Sequence, residues 1–274
     1  MIIYDTPSVF KPLTNHTYPP NNNQIFEHYF MERAMNDSIE LDRIYLPIQW
    51  TCFYIERNYG KNDMSDLQAF LNSLPRDKKY FTVIQYDDGI LQNIDGLDIK
   101  IYASGGVGTY PIPLLCQPYQ RVERQRDIFA SFVGTFTPQY IVRNKMREVL
   151  GNLSGYTISD YKDFNYFKET MERSIFALCP RGYGKTSFRI CEALNLGAIP
   201  VYIYDDKWIP YEHESVFNAY GVLCHIDEIN KLDEVLKRHS EGFINLKQEV
   251  GQLIYGSMYS YETCYNQIIY TEKK

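Results

Sequence analysis

The stretch Cys179-Pro180-Arg181-Gly182-Tyr183-Gly184-Lys185-Thr186-Ser187-Phe188-Arg189-Ile190-Cys191-Glu192-Ala193-Leu194 decides how this chain reads. It lies between two apolar runs, residues 174–178 and 198–203. That order predicts strand, glycine-rich loop, helix, strand. Such a loop brings backbone N–H groups to a helix N-terminus, where the peptide dipoles favour an anion. Arg181 falls in the loop. Arg189 and Glu192 fall on the helix, three residues apart and therefore on one face. Loop and cations suit a diphosphate, and a carboxylate one turn further suits a pair of ribose hydroxyls. The segment reads as a nucleotide-diphosphate site.

Working outward, strands and helices alternate on both sides. Upstream, residues 128–134 predict a strand, 140–150 a helix, 156–158 a short strand and 164–174 a helix. Downstream, 226–236 and 245–266 predict helices, with Leu246, Val250, Leu253 and Ile254 on one face of the second. The first part of the chain predicts an extended arm over 1–25, a helix over 23–35, a strand within 42–54 followed by an aromatic run around Trp50, a helix over 63–73, and strands over 80–85 and 100–103. Alternation of this kind argues for parallel sheets covered by helices. The boundary between the halves falls near residues 117–126. Ligands of such sheets bind at the carboxyl ends of the strands. The Arg181 loop and the turn Tyr86-Asp87-Asp88-Gly89 both fall at such ends.

Bulk properties narrow the function classes. Of 274 residues, 45% are hydrophobic and 23% charged, which suits one large folded domain or two modest ones. A net charge of -6 argues against a general nucleic-acid binder. No run of about 18 apolar residues predicts a transmembrane helix, and the N-terminus lacks the pattern of a secretory signal. The expectation is a soluble, cytoplasmic protein. The six cysteines are scattered without a C-x-x-C pair, and the five histidines lack metal-ligand spacing. They predict reduced core thiols and no metal site. Gly184-Lys185-Thr186 resembles the end of a P-loop, but the required first glycine is Cys179, so that motif fails. Tyrosine is abundant, 25 residues, which suits either sugar-ring contacts or compositional bias.

The segment 178–201 resembles the C-terminal motif of the exostosin glycosyltransferases: C-P-R-G, a variable insert, S-F-R, then E-A and G-x-I-P-V. Phe132-Val133-Gly134 followed by Ile141-Val142-Arg143 resembles the family's F-x-G … I-R segment. Tyr86-Asp87-Asp88-Gly89 and Tyr110-Pro111-Ile112-Pro113 are weaker echoes of its H-D-W-G and D-V-x-I-P segments. The resemblance implies an α/β chain of GT-B fold, two Rossmann-like domains facing a central cleft. Residues 1–120 would form the acceptor-side domain and 121–245 the nucleotide-sugar domain, with a C-terminal helix over 246–274 packing back across them. It implies an inverting transferase moving a sugar from a UDP-sugar to a glycan hydroxyl, with no nucleic-acid partner. In lacking an anchor, the chain resembles the compact soluble members of microbes and large DNA viruses, which would place it in a host cytoplasm if viral. UDP-xylose is the expected donor. The alternative is a catalytically silent carbohydrate- or nucleotide-binding protein on the same fold.

On that reading Arg181 and Arg189 stabilise the leaving diphosphate, and Glu192 holds the ribose. Gly182 and Gly184 allow close backbone approach or simply form a turn. Ser187 either caps the helix or touches phosphate. Tyr183 and Lys185, in the insert, are candidates for donor base or sugar, and Arg143 for the phosphates or for bracing its helix. Asp87 is the candidate general base, the alternative being a turn aspartate before glycine. Asp88, Glu27 and His28 follow it. Trp50 and Tyr54 serve core packing or acceptor stacking. Donor recognition by residues 208–211 is a further expectation. GT-B enzymes stabilise the diphosphate with protein groups, so the pairs Asp205-Asp206 and Asp87-Asp88 are not expected to hold a metal, and no cofactor is required.

Overall fold

The computed structural model describes residues 1–12, 25–116, 118–212 and 214–273. The remainder of the expected N-terminal arm, with His16, lies outside the described residues, as does His213. The chain forms two compact units: residues 1–115 together with Tyr261–Lys274, and Cys116–Ser260.

The first unit holds α1 (Phe26–Met35), β1 (Ile44–Tyr45), α2 (Trp50–Glu56), α3 (Ser65–Ser73), β2 (Lys79–Ile84), β3 (Asp98–Ala103) and β4 (Tyr110–Pro111). Its four strands are parallel and lie in sequence order. β2 is buried along nearly its whole length, as a strand covered on both faces must be. The aromatic run around Trp50 is a helix. Trp50, Thr51, Cys52, Phe53 and Tyr54 are all buried, so no polar face marks it in the sequence.

The second unit runs β5 (Ile128–Val133), α4 (Ile141–Leu150), β6 (Tyr156–Ser159), α5 (Phe164–Glu172), β7 (Ser174–Pro180), α6 (Phe188–Asn195), β8 (Ile199–Tyr204), α7 (Glu214–Tyr220), β9 (Val222–His225), α8 (Leu232–Lys237) and α9 (Glu241–Met258). Its five parallel strands are ordered β6-β5-β7-β8-β9. This is the doubly wound order 2-1-3-4-5, in which the chain's direction across the sheet reverses between the first and third strands. Phe132, Val142, Met146, Phe176, Leu178 and Val201 pack the core beneath α4 and the sheet. Each contributes about 1.5–3 kcal/mol by leaving water.

Two sequence expectations change here. The helix expected over 245–266 is two helices. α9 ends at Tyr259, whose backbone leaves the helical region, and α10 (Tyr261–Glu272) groups with the first unit. The apolar stripe on α9 is only partly its packed face: Leu246 and Leu253 are 52% and 73% exposed, while Val250 and Ile254 are half-buried. The buried residues are Lys247, which donates to the carbonyls of Asn218 and Gly221, and Gly251, against Leu194. Gly251 lets α9 approach α6, and Lys247 buries its stem while its head is bonded at the end of α7.

Candidate active site in the second unit

The reversal between β5 and β7 opens a crevice at their carboxyl ends, and the quoted motif lies there. β7 ends at Pro180; the Arg181 N–H bonds to the Ile203 carbonyl at 3.0 Å, carrying the ladder one residue past the strand. The loop then closes on itself, Gly182 N–H donating to the Thr186 carbonyl at 3.4 Å. Ser187 is extended, with its side-chain oxygen accepting from Arg189 N–H at 3.3 Å. This is an N-cap. α6 stops at Gly197, whose φ of +77° suits glycine best.

Arg189 reaches from α6 to the end of β5. Its guanidinium donates to the Val133 carbonyl at the end of β5 and to Glu192 Oε2 at 3.0 Å, and it stacks on Phe167 of α5 with 4.0 Å to the ring centroid. Gly134 follows Val133 for a steric reason: a Cβ there would stand 2.8 Å from the Phe132 ring and 3.2 Å from Arg189 Nη2. Glu192 is buried, and its other oxygen accepts from the Tyr119 hydroxyl at 3.0 Å. Arg143, from α4, lies beside Gly182, donates to the Thr135 carbonyl at 3.0 Å and stacks on Tyr140.

Arg181 points its fork at Asp205, just after β8, with Nη2–Oδ2 at 2.7 Å and Nε on the other oxygen. That pairing pushes the Arg181 guanidinium up and holds the Asp205 carboxyl below the ordinary carboxylate range, the hydrogen bond being the main cause in each. Arg181 also donates to the Tyr183 carbonyl at 3.0 Å. Lys185 pairs with Asp206 at 2.7 Å and faces the Trp208 ring, and its carbonyl accepts from the buried Tyr202. Tyr183 is 64% exposed at the loop tip; Gly184 is buried beneath it.

Of the candidates, Arg143, Arg181, Gly182, Tyr183, Gly184, Lys185, Ser187, Arg189 and Glu192 thus share this end of the sheet. Sequence reasoning missed Val133, Tyr119, Phe167 and the use of Asp205 and Asp206 as partners for Arg181 and Lys185. The signal for the last pair was available: two carboxylates directly after the strand neighbouring β7 sit level with whatever follows β7. Among the described residues no cluster of His, Cys, Asp and Glu is arranged to hold a metal ion.

The other candidates belong to the first unit. Asp87 is half-buried in the turn after β2, which Gly89 closes by donating to the Tyr86 carbonyl at 3.1 Å. Asp88 beside it is exposed. Glu27 is 1% exposed and accepts from Thr51 Oγ1 at 2.6 Å, Thr51 N–H at 3.1 Å and Gln85 N–H at 2.7 Å. Burial pushes its carboxyl up to about 7, although these donors pull it down. His28 contacts the Pro12 carbonyl and Cys52. Trp50 and Tyr54 are fully buried, the indole donating to Thr82 and the phenol to Gln92, so neither presents a face for a sugar.

Residues 106–239 match the family model for the exostosin GT47 domain. The match takes in β5 to β9, and so the whole crevice just described. A probable glucuronosyltransferase of Oryza sativa subsp. japonica is 34% identical over 123 residues, covering 42% of this chain and 30% of that protein. A probable beta-1,4-xylosyltransferase of Arabidopsis thaliana is 33% identical over 121 residues, 40% of this chain and 29% of that protein. The aligned part therefore spans less than a third of either plant protein. The crystal structure of TarM aligns with 91% of this chain and 58% of that one, at 9% identity and a TM-score of 0.48. No described helix is long and apolar enough to cross a membrane.

Proposed function

We propose that this protein is an inverting glycosyltransferase that moves a sugar from a UDP-sugar to a hydroxyl of a glycan, without a metal ion. The observation that carries the proposal is the placing of Arg189 in the crevice between β5 and β7, within the residues that match the exostosin GT47 domain, one turn from a buried carboxylate. The donor diphosphate lies along the 181–187 loop at the N-terminus of α6, where the helix dipole favours it. Glu192 takes the ribose.

Transfer breaks the bond between the anomeric carbon and the diphosphate oxygen, and the diphosphate gains charge as it leaves. Arg189 is already fixed in place by Val133, Glu192 and Phe167, so it answers that charge without reorganising. Arg181 reaches the same charge by exchanging Asp205 for a phosphate oxygen. Asp87 is the base that takes the acceptor proton. The test is a panel of UDP-sugars, UDP-xylose and UDP-glucuronate first, with purified protein and excess EDTA. Release of UDP from one donor supports the proposal and names the sugar. UDP bound but never released, with or without glycan acceptors, favours a silent binding protein instead.

A further inference from the structure

Tyr119 lies in the segment that opens the second unit, ahead of β5, where no motif drew attention to it. Its hydroxyl donates to Glu192 Oε1 at 3.0 Å, while Arg189 donates to Glu192 Oε2 at 3.0 Å. Tyr119 is itself anchored twice. Its backbone N–H donates to Asn195 Oδ1 at 2.6 Å, at the end of α6, and its ring meets Phe164 and Phe167 edge-on with centroids 5.2 and 6.3 Å away. Phe167 is also the ring on which Arg189 stacks. The two groups that hold Glu192 are thus braced against the same aromatic side chain. Burial, with the Glu192 charge beside it, pushes the Tyr119 phenol up, so it remains a donor at ordinary pH.

A carboxylate offers about four acceptor directions, two on each oxygen. Tyr119 and Arg189 each occupy one, on different oxygens, and this fixes the carboxylate plane. One direction stays open on each oxygen, the pattern that two adjacent hydroxyls require. We propose that Tyr119 is a positioning residue for the ribose of the donor nucleotide, acting by orienting Glu192 so that the carboxylate accepts from both the 2′- and 3′-hydroxyls. This rests on the reading of the crevice as a UDP-sugar site, and it adds a residue on which recognition of ribose over deoxyribose depends.

The experiment measures calorimetric affinities of UDP and 2′-deoxy-UDP for the full chain and for Tyr119→Phe, which removes one oxygen and keeps the ring. Wild-type protein should prefer UDP. Tyr119→Phe should weaken UDP binding by about 5- to 10-fold, the loss of one hydrogen bond to a charged group, and weaken 2′-deoxy-UDP, which keeps only the 3′-hydroxyl contact, by a smaller factor. Glu192→Gln should lose the preference for UDP, and adding Tyr119→Phe to it should change little further. Equal weakening of both nucleotides, or of neither, overturns the role given to Tyr119. A wild-type protein that binds UDP and 2′-deoxy-UDP equally overturns it through Glu192 but leaves the UDP site standing. A wild-type protein that binds no UDP overturns both. Should Tyr119→Phe fold poorly, Glu192→Gln still tests the contact through which Tyr119 acts: a retained preference for UDP overturns the proposal.

Discussion

Arg181 and Asp205 form a two-point ion pair across the ends of β7 and β8, one guanidinium nitrogen on each carboxylate oxygen. The cation that the motif offers to a diphosphate is therefore already matched by a carboxylate of its own chain. Both side chains are partly exposed, at 25% and 34%, so water screens the pair and an incoming diphosphate can displace the carboxylate.

Asp205→Asn should tighten UDP binding by about 3-fold, because it removes both a competitor for Arg181 and a negative charge beside the phosphates. Calorimetry at two salt concentrations checks this, and the gain should shrink at high salt. Weaker binding in Asp205→Asn would mean that the carboxylate orients Arg181 for the donor.

Arg189→Ala should lower turnover by about 100-fold or more, the scale of losing one preorganised group at a developing oxyanion. Arg189→Lys should not restore it. A single ammonium cannot reach Val133, Glu192 and the Phe167 face together. Steady-state rates for both variants check this: near-normal turnover in Arg189→Ala would remove Arg189 from the chemistry, and in Arg189→Lys would show that a single cation suffices there.

The motif itself was legible because each local signal agreed with the fold. Two apolar runs, a serine cap and a glycine stop enclose α6, and the expected strands 128–134, 156–158, 174–178 and 198–203 are β5 to β8 within a residue or two. What escaped reading was short or buried. β9 has four residues, and α7 has seven with only Phe217 and Tyr220 buried. α2 is buried at nearly every position, so it carries no helical period. Tyr119 belongs to no element, and its role depends on a contact 73 positions along the chain. On α9 the periodic leucines Leu246 and Leu253 are exposed, while the fully buried positions are Lys247 and Gly251.

Glu27 should make stability fall as pH rises through the neutral range. Its carboxyl is raised from 4.5 to about 7 in the native state, so the folded chain holds the proton more tightly than the unfolded one. The contribution is full below pH 4.5 and lost as pH rises through about 7, for a total on the order of 3 kcal/mol. Denaturant unfolding of wild type and Glu27→Gln between pH 4 and 8 checks this, pH values chosen to bracket both ends of the titration. The wild type should lose stability relative to the variant across that window. Parallel curves would show that Glu27 does not titrate there.

Asp87→Asn should abolish sugar transfer, by about 100-fold or more, and leave UDP affinity unchanged, since Asp87 lies in the first unit and the proposed nucleotide-binding residues in the second. Transfer assays paired with calorimetry separate the two effects. Transfer at the wild-type rate would place the base elsewhere.

The central claim is that the 181–187 loop and α6 form a nucleotide-diphosphate site, and UDP titrated calorimetrically into the full chain with excess EDTA tests it most directly. The account predicts saturable one-to-one binding that weakens by about 10-fold or more in Arg189→Ala. An absence of UDP binding to the wild-type protein would contradict it.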